Sequence, residues 1–551
     1  MSVADSPPLM TEHALLLPLG RFARQIGLLA ALDRIPIAMK TVDHSPGDKL
    51  AELFAHILAG GMHVTELERS PHPLVSDTAV AQAFGQEAFA SASGVNALLR
   101  AVDPASVAAL TAALQQVLAP YRQRLLRDLV PALVEVDFDL TGLVISDQAV
   151  TYQGADWGYM GELGKVGKRH PQVGTRFARA QLNTRAGALV LGGFLHSGRT
   201  VSLACLAELV TLVEATVGRP RRRVELIEQR LVQVEQQLAA VEQALVKGAT
   251  GRRQERVQTR QAALQAERAQ LQTRHEAMTA ENAGHPNARR ILLRLDGGFG
   301  DVAHLAWLEE QGYDFIARAH HRVASRLRTK ENLAWEKVSK NGFIAESRQT
   351  SIRNAPYPLR VFACRQWWGD DKAERWSALL VNQELDGTDW PTRRVGVFYN
   401  GRQVIEAGIK EGKGIFASRH LPTRHLAGIA LYQELVLAAQ NLLRWFQRQV
   451  LHHSSLSATG IKDLVRRAAN SRALAQVHGR ALVLHFAAEN SWPDQTLALP
   501  MDLTYHLCLP ILDLGGNAGP SSCLHSHETY VRAVNEVLDR RRQLIKMGEG
   551  G

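Results

Sequence analysis

LVPALVEVDFDLTGLVI, residues 129–145, changes the texture of the chain. Leu133, Glu135, Asp137 and Asp139 alternate with Val134, Val136, Phe138 and Leu140, the two-residue period of a strand. Three carboxylates on one strand face repel each other unless something positive sits among them. Further strands are expected at GTRFARAQLNT (174–184) and GALVLGGFLH (187–196), followed by the helix VSLACLAELVTLVEATVG (201–218). After an interruption, ARRILLRLDGGFGD (288–301) reads as a buried strand ending at Asp296 and a glycine turn, with Asp301 capping the helix VAHLAWLEEQG. YDFIARAH (313–320) is another strand, and a helix follows near residue 399.

The interruption has its own period. Val224, Ile227, Leu231, Val234, Leu238, Val241 and Leu245 step alternately by three and four residues, an a/d heptad seam. GATG (248–251) breaks it, and Val257, Leu264, Leu271 and Met278 return at intervals of seven. An antiparallel coiled-coil hairpin is expected, its polar faces rich in Gln and Arg. A structural arm is the plain reading; an arm that touches DNA or dimerises is the sharper one. Between 322 and 397, short strand-like runs (PLRVFAC, RWSALLVN, RRVGVFY) carry Trp335, Trp367, Trp368 and Trp376, which suggests a small antiparallel insertion. Without hairpin and insertion, residues 133–450 read β-β-β-α-β-α-β-α. This is the ribonuclease-H-like order, an α/β (α+β) mixed sheet with flanking helices.

Around this core the chain divides by texture. Residues 1–125 read as a helical domain: HSPGDKLAELFAHILAGG (44–61) starts with a Ser45 cap and Pro46 and stops on two glycines. SDTAVAQAFGQEAFASASGVNALLRAV (76–102) forms two short helices, compatible with a helix-turn-helix and also with an ordinary helical hairpin. The expected segments are then 126–218 (core with the first Asp), 219–284 (hairpin), 285–321 (core with the second Asp), 322–397 (β-rich insertion), 398–450 (core with the Glu helix) and 451–551 (assembly or DNA contact). The last includes a strand in GRALVLHFA (479–487) and a basic helix near ETYVRAVNEVLDRRRQLIK (528–546).

The 551 residues exceed one core, and 46% hydrophobic content excludes wholesale disorder. A formal charge of +10 suits a polyanionic partner. Cys205, Cys364, Cys508 and Cys523 form no CxxC pair, which suits a reducing compartment. No signal peptide is read at the N-terminus, and no apolar run approaches the ~20 residues of a bilayer span. A soluble intracellular protein is expected. His506, Cys508, Cys523, His525 and His527 have zinc-ligand identities but a spacing that matches no known finger.

In the ribonuclease-H-like order an acid on the first strand, one at the end of the fourth and one on a later helix converge. Those positions fall on Asp139, Asp296 and Glu406. Asp137 faces the same way as Asp139; Asp139 is favoured because Leu140-Thr141 follow it at the strand end. Three carboxylates are hard ligands for magnesium or manganese, and two such ions can activate a water or a 3′-hydroxyl and stabilise the leaving oxygen of an in-line phosphoryl displacement.

YNGRQVIEAGIKEGKG (399–414) places Tyr399, Arg402, Glu406 and Lys413 on what reads as one glycine-containing helix. Its spacing reproduces the Y-(2)-R-(3)-E-(6)-K signature, so the chain resembles bacterial cut-and-paste insertion-sequence transposases with a DDE triad. DFDLTGL and RLDGGFGD resemble that family's first and second aspartate boxes, and a β-rich insertion before the Glu is a family trait. The resemblance spans roughly residues 130–450; the long hairpin lies outside its pattern. It implies catalytic, metal-holding roles for Asp139, Asp296 and Glu406 with two Mg2+ ions, for which Mn2+ substitutes. It also implies DNA phosphate contacts from Tyr399, Arg402 and Lys413. Terminal inverted repeats and target DNA are the implied partners, cut and joined by a homodimeric synaptic complex. A flipped base held by a tryptophan of the insertion belongs to the same picture. The bacterial family that the chain resembles also implies a prokaryotic, cytoplasmic location and association with the nucleoid when bound to DNA. The rival readings are an endonuclease or resolvase without strand transfer, and a DNA-binding scaffold whose catalysis has decayed.

Overall fold

The computed structural model describes residues 8–500, apart from 41–42, 128–132, 146–151, 161–170, 185–186, 248–249, 286–287, 331, 349–351, 353–354, 369–372, 479–480 and 488–495. Internal contacts divide the chain into two compact units. One comprises Arg122–Gly142 and Asp156–Ala407; the other comprises Met1–Tyr121, Leu143–Ala155 and Gly408–Gly551.

The first unit is built on the acidic strand. In β1 (Val134–Val144) the apolar alternates Val134, Val136 and Phe138 are buried. Next come β2 (Asp156–Gly158), β3 (Gln172–Thr184) and β4 (Gly187–Ser197); β3 neighbours β1 and pairs antiparallel with both β2 and β4. The helix α1 (Leu206–Thr216) packs against β3 and β4. On its other side β1 pairs in parallel with β5 (Ile291–Leu295), from Val134↔Ile291 to Asp137↔Arg294. A parallel crossover through α4 (Val302–Glu310), capped by Asp301, leads to β6 (Asp314–Arg318). Strand order β4-β3-β1-β5-β6 makes this a mixed α/β sheet, consistent with a ribonuclease-H-like arrangement. All five residues of β5 are buried, as a parallel strand covered on both faces requires.

The tryptophan-bearing segment does not form a sheet of its own. After α5 (His321–Lys330) come β7 (Glu336–Ser339), β8 (Gly342–Glu346), β9 (Leu359–Trp368) and β10 (Ala373–Asn382). They are antiparallel, as expected, but β10 pairs with β6, so the main sheet simply continues to ten strands. Leu292, Ile316, Ile344, Phe362, Leu379 and Val381 form one apolar cluster across old and new strands. RRVGVFY, expected as a strand, lies instead in a helix, α6 (Thr392–Asn400). Val395 is buried in the same cluster and Phe398 and Tyr399 pack on it, a three- and four-residue spacing that overrides the β-propensity of Val, Phe and Tyr.

The heptads do pair two helices, α2 (Val224–Val246) and α3 (Arg252–Ala283). Ile227, Val234, Leu238, Val241, Leu264, Leu271 and Met278 form their buried seam. Cross-links between Arg222 and Glu281 (2.9 Å), His275 and Glu228 (2.9 Å) and Arg230 and Glu267 (2.6 Å) fix the antiparallel register. At the base the Arg222 amide donates to Asn282 Oδ1 (2.8 Å) and Asn282 Nδ2 donates back to the Arg222 carbonyl (2.9 Å). Asp314, at the start of β6, takes Arg223 at 2.5 Å and Arg290 at 2.8 Å, and Glu310 on α4 takes Arg274 and the Tyr357 hydroxyl.

The other unit is mostly helical. Ser45 and Asp48 form a reciprocal capping box at the start of the helix Pro46–Leu58, and Ser91 caps Ala92–Ala101. Two expectations change here. Leu9–Thr11, within a stretch read as helical, is a strand that pairs with residues 473–475 in a four-stranded sheet completed by Ala481–Phe486 and Thr496–Pro500. The helix Leu426–Gln449 is long and apolar enough to cross a membrane, although no such run was expected; 83% of its apolar window is buried, as in a core helix. The bent pair Ala92–Ala101 and Pro104–Arg127 passes the same test only if taken together. The His/Cys cluster at 506–527 and the basic helix near 528–546 lie outside the described residues.

The seam makes a local prediction. Leu271→Ala should cost the hairpin about 2–4 kcal/mol. Hydrogen exchange should speed up across residues 224–283 and stay unchanged in β5 and β6; equal loss in both would contradict a seam that folds on its own account.

Candidate active site

The three acids of β1 have separate environments. Asp137 is fully buried; Arg294 donates to both its oxygens, Nε at 2.6 Å and Nη2 at 3.0 Å, and Asn183 adds a third bond at 2.9 Å. Asn183 in turn accepts from Gln181, and Gln181 from Arg179, so a buried polar ladder runs along β3. Glu135 lies 3.8 Å from Arg294. Asp139, two residues further along the same face, is free of this ladder and meets Arg402 instead.

Arg294 also reaches forward. Its Nη1 donates to the Phe398 carbonyl at 3.1 Å, closing the end of α6, and the guanidinium lies 4.9 Å from the centre of the Phe398 ring. A Cβ at Gly401 would come within 2.4 Å of that Nη1, so the turn after α6 needs a glycine. The run 399–414, expected as one helix, is therefore two: α6 ends at Asn400 and α7 (Gln403–Gly414) begins after Arg402. Tyr399 lies in the last turn of the first, and Glu406 lies in the first turn of the second.

This turn brings Arg402 among three carboxylates. It donates to Asp139, lies 3.8 Å from Asp296 and donates to Glu406 at 3.0 Å. Its side chain is 9% exposed against 51% for Glu406. Asp296, just beyond β5, accepts the Gly298 amide at 2.9 Å. A Cβ at Gly298 would lie 2.3 Å from Ser202 Oγ, so this turn too requires glycine. Tyr399 donates its hydroxyl to the Leu295 carbonyl at 3.2 Å, immediately before Asp296. Phe138 and Phe299, both fully buried, pack at 6.2 Å beside these acids in sequence. Lys413 is in the last turn of α7, within the other unit.

Burial pushes the Asp139 carboxyl up to about 6; Arg402 opposes the rise, and Asp296 and Glu406 add to it. Burial works against the charge of Arg402, but Asp139 and Asp296 outweigh it and hold its proton more tightly than usual. Burial likewise raises Tyr399, which stays a phenol. Among the described residues, no group of three or more His, Cys, Asp or Glu side chains is placed to hold a metal ion. The acids are instead gathered on one guanidinium, whose Nε is buried without a hydrogen-bond partner among the described residues.

Arg294 and Asn183 were not singled out from sequence. One signal was available: Arg294 is the lone charge in an otherwise apolar strand, and a buried guanidinium needs an acid. Arg318, exposed at the end of β6, runs alongside Gly297 and was missed as well.

Two outcomes follow from this geometry. Gly401→Ala should push Arg294 off the Phe398 carbonyl and cost about 1–3 kcal/mol, read by thermal unfolding. The raised Asp139 carboxyl contributes stability that is complete below its unfolded value near 3.8 and is lost as pH rises through about 6. Asn does not titrate, so with chelator present Asp139→Asn should raise the melting temperature more at pH 8 than at pH 5. Equal gains at both would contradict the shifted carboxyl.

No curated protein matches the chain. Residues 245–442, which carry Asp296, Tyr399, Arg402, Glu406 and Lys413, match the family model described as Transposase DDE domain, and this match supports a DDE transposase.

Proposed function

We propose that the protein is a DDE transposase that cuts DNA at the ends of an insertion sequence and joins the freed 3′-hydroxyl to target DNA. One observation carries the reading: Asp139, Asp296 and Glu406, from three separated segments, meet on the guanidinium of Arg402. The saturated bonding of Asp137 favours Asp139 as the β1 acid of the triad.

A divalent cation fits the donor chemistry. Three ionised carboxylates against one guanidinium leave two negative charges uncompensated, and carboxylate oxygens are the ligands magnesium and manganese prefer. Asp139, Asp296 and Glu406 would hold the metal, which would supply Lewis-acid polarisation of the scissile phosphate and neutralise charge developing there.

The chain's own residues do the rest. Arg402 shields the three acids from one another in the free protein; with its charge no longer needed there, its fork is available to a phosphate beside the scissile one. Tyr399 holds the Leu295 carbonyl and so fixes the strand end that presents Asp296, a positioning task close to the phosphate contact expected of it. Gly297, which faces only the Arg318 side chain at 3.9 Å, leaves room for a sugar–phosphate backbone beside Asp296. Lys413 is assigned a phosphate contact by its place in the signature. Inverted repeats are taken as the substrate and a homodimer as the cutting assembly, because two ends are to be cut together.

The test uses end-labelled duplexes bearing the repeats that flank the coding sequence, with magnesium and a target plasmid. Wild-type protein should give cleaved and joined products, and Asp296→Asn and Glu406→Gln should each lose at least ~10³-fold in rate with folding intact. Asp137→Asn should instead lower the melting temperature. Cleavage without joining would make the protein a nuclease; full activity in Asp296→Asn would reject the triad.

A further inference from the structure

The arginines of the hairpin fall into two populations. Near its base most have an acid: Arg219 and Arg222 share Glu281, Arg223 takes Asp314, Arg230 takes Glu267 and Arg274 takes Glu310, while the exposed Arg221 and Arg268 are isolated exceptions. Beyond these pairs the pattern stops. Arg252, Arg253, Arg256 and Arg260, in the first turns of α3, are exposed and make no ion pair among the described residues, and the same holds for Lys247 at the end of α2.

The register sharpens the contrast. Residues 253, 260, 267, 274 and 281 recur at seven-residue intervals beside the seam. The last three, Glu267, Arg274 and Glu281, are paired; Arg253 and Arg260 occupy the same helical row without a partner. From 242 to 260 the charged residues are Glu242, Lys247, Arg252, Arg253, Glu255, Arg256 and Arg260, an excess of three positive charges. Fixed cations on a stiff helix of 32 residues, about 48 Å long, lose little freedom on meeting an anion. The tip carries no aromatic side chain for stacking on bases and one strongly exposed apolar residue, Val246. Those features select a phosphate backbone and give no means of reading sequence.

We propose that the tip of the hairpin is a sequence-independent clamp for duplex DNA, gripping phosphates with Arg252, Arg253, Arg256 and Arg260. This rests on the DNA-directed function proposed above and adds a second contact to it. The arm is rooted at Asp314, the first residue of β6, whereas Asp296 follows the last residue of the parallel neighbour β5. Root and catalytic acid are therefore at opposite ends of the sheet. The DNA held by the tip is a flank, away from the phosphate that is cut, so the clamp governs affinity and leaves the chemical step alone.

The experiment compares the full chain with a variant carrying Arg→Gln at 252, 253, 256 and 260, using a long duplex with one repeat and a short duplex without flank. Expected for the variant on the long duplex is a fall of roughly 2–4 in the slope of log affinity against log salt, and at least ~10-fold weaker binding near 0.15 M salt. Affinity for the short duplex and the single-turnover cleavage rate at saturating DNA should stay as in wild type. An unchanged salt slope in a variant of normal helicity would overturn the clamp. So would a change in sedimentation with no change in slope, which would make the tip a contact between copies. Failure of the wild type to bind or cut either duplex would instead remove the proposed function itself, so the two failures are distinguishable.

Discussion

The buried pair between Asp137 and Arg294 is the constraint on which the candidate site at the end of the sheet depends. It joins β1 to β5, takes Asn183 from β3 and delivers the remaining Arg294 nitrogen to the Phe398 carbonyl, where α6 gives way to α7. A buried ion pair is weak evidence of net stability, since an apolar pair of similar volume often does as well. Its value here is directional. An apolar replacement could fill the space, but it could not close the end of α6 or hold the glycine turn at the spacing that puts Arg402 beside Asp139. Removing one partner alone would strand a charge in the sheet, at about 3–5 kcal/mol.

Above that pair the logic reverses. Asp139, Asp296 and Glu406 are partly exposed, share one base and carry more negative charge than it can balance. Asp139, destabilised as an anion by burial and by the neighbouring Asp296 and Glu406, is a local departure from the rules that the rest of the sheet obeys. Such departures belong at functional sites. Arg402 makes the departure tolerable: it keeps the three acids together while nothing else neutralises them.

Much of this was legible in the residues. The alternation of Val134, Val136 and Phe138 with acids, the heptads of the hairpin, and the caps at Ser45 and Asp301 depend on near neighbours, and the structure repeats them. What stayed hidden depends on distant partners. Leu9–Thr11 is a strand because residues 473–475 lie beside it, and no local pattern announces that. The insertion joins the main sheet because β10 finds the free edge of β6. RRVGVFY misled because β-branched and aromatic residues were weighed above the spacing of Val395, Phe398 and Tyr399. The break at Gly401 has its cause over a hundred residues earlier, in Arg294. At the site, the same arginine takes up Asp137 and leaves Asp139 to Arg402, a difference that no local pattern announces.

The clasp between Arg222 and Asn282 has a consequence for how such a chain changes over time. Both ends of the hairpin are pinned to one another before the chain re-enters the sheet at β5. A heptad added to or lost from each helix together would preserve the seam and leave this junction in place. Arm length is thereby uncoupled from the spacing of the acids, and a lineage can lengthen or shorten the hairpin without disturbing Asp139, Asp296 or Glu406.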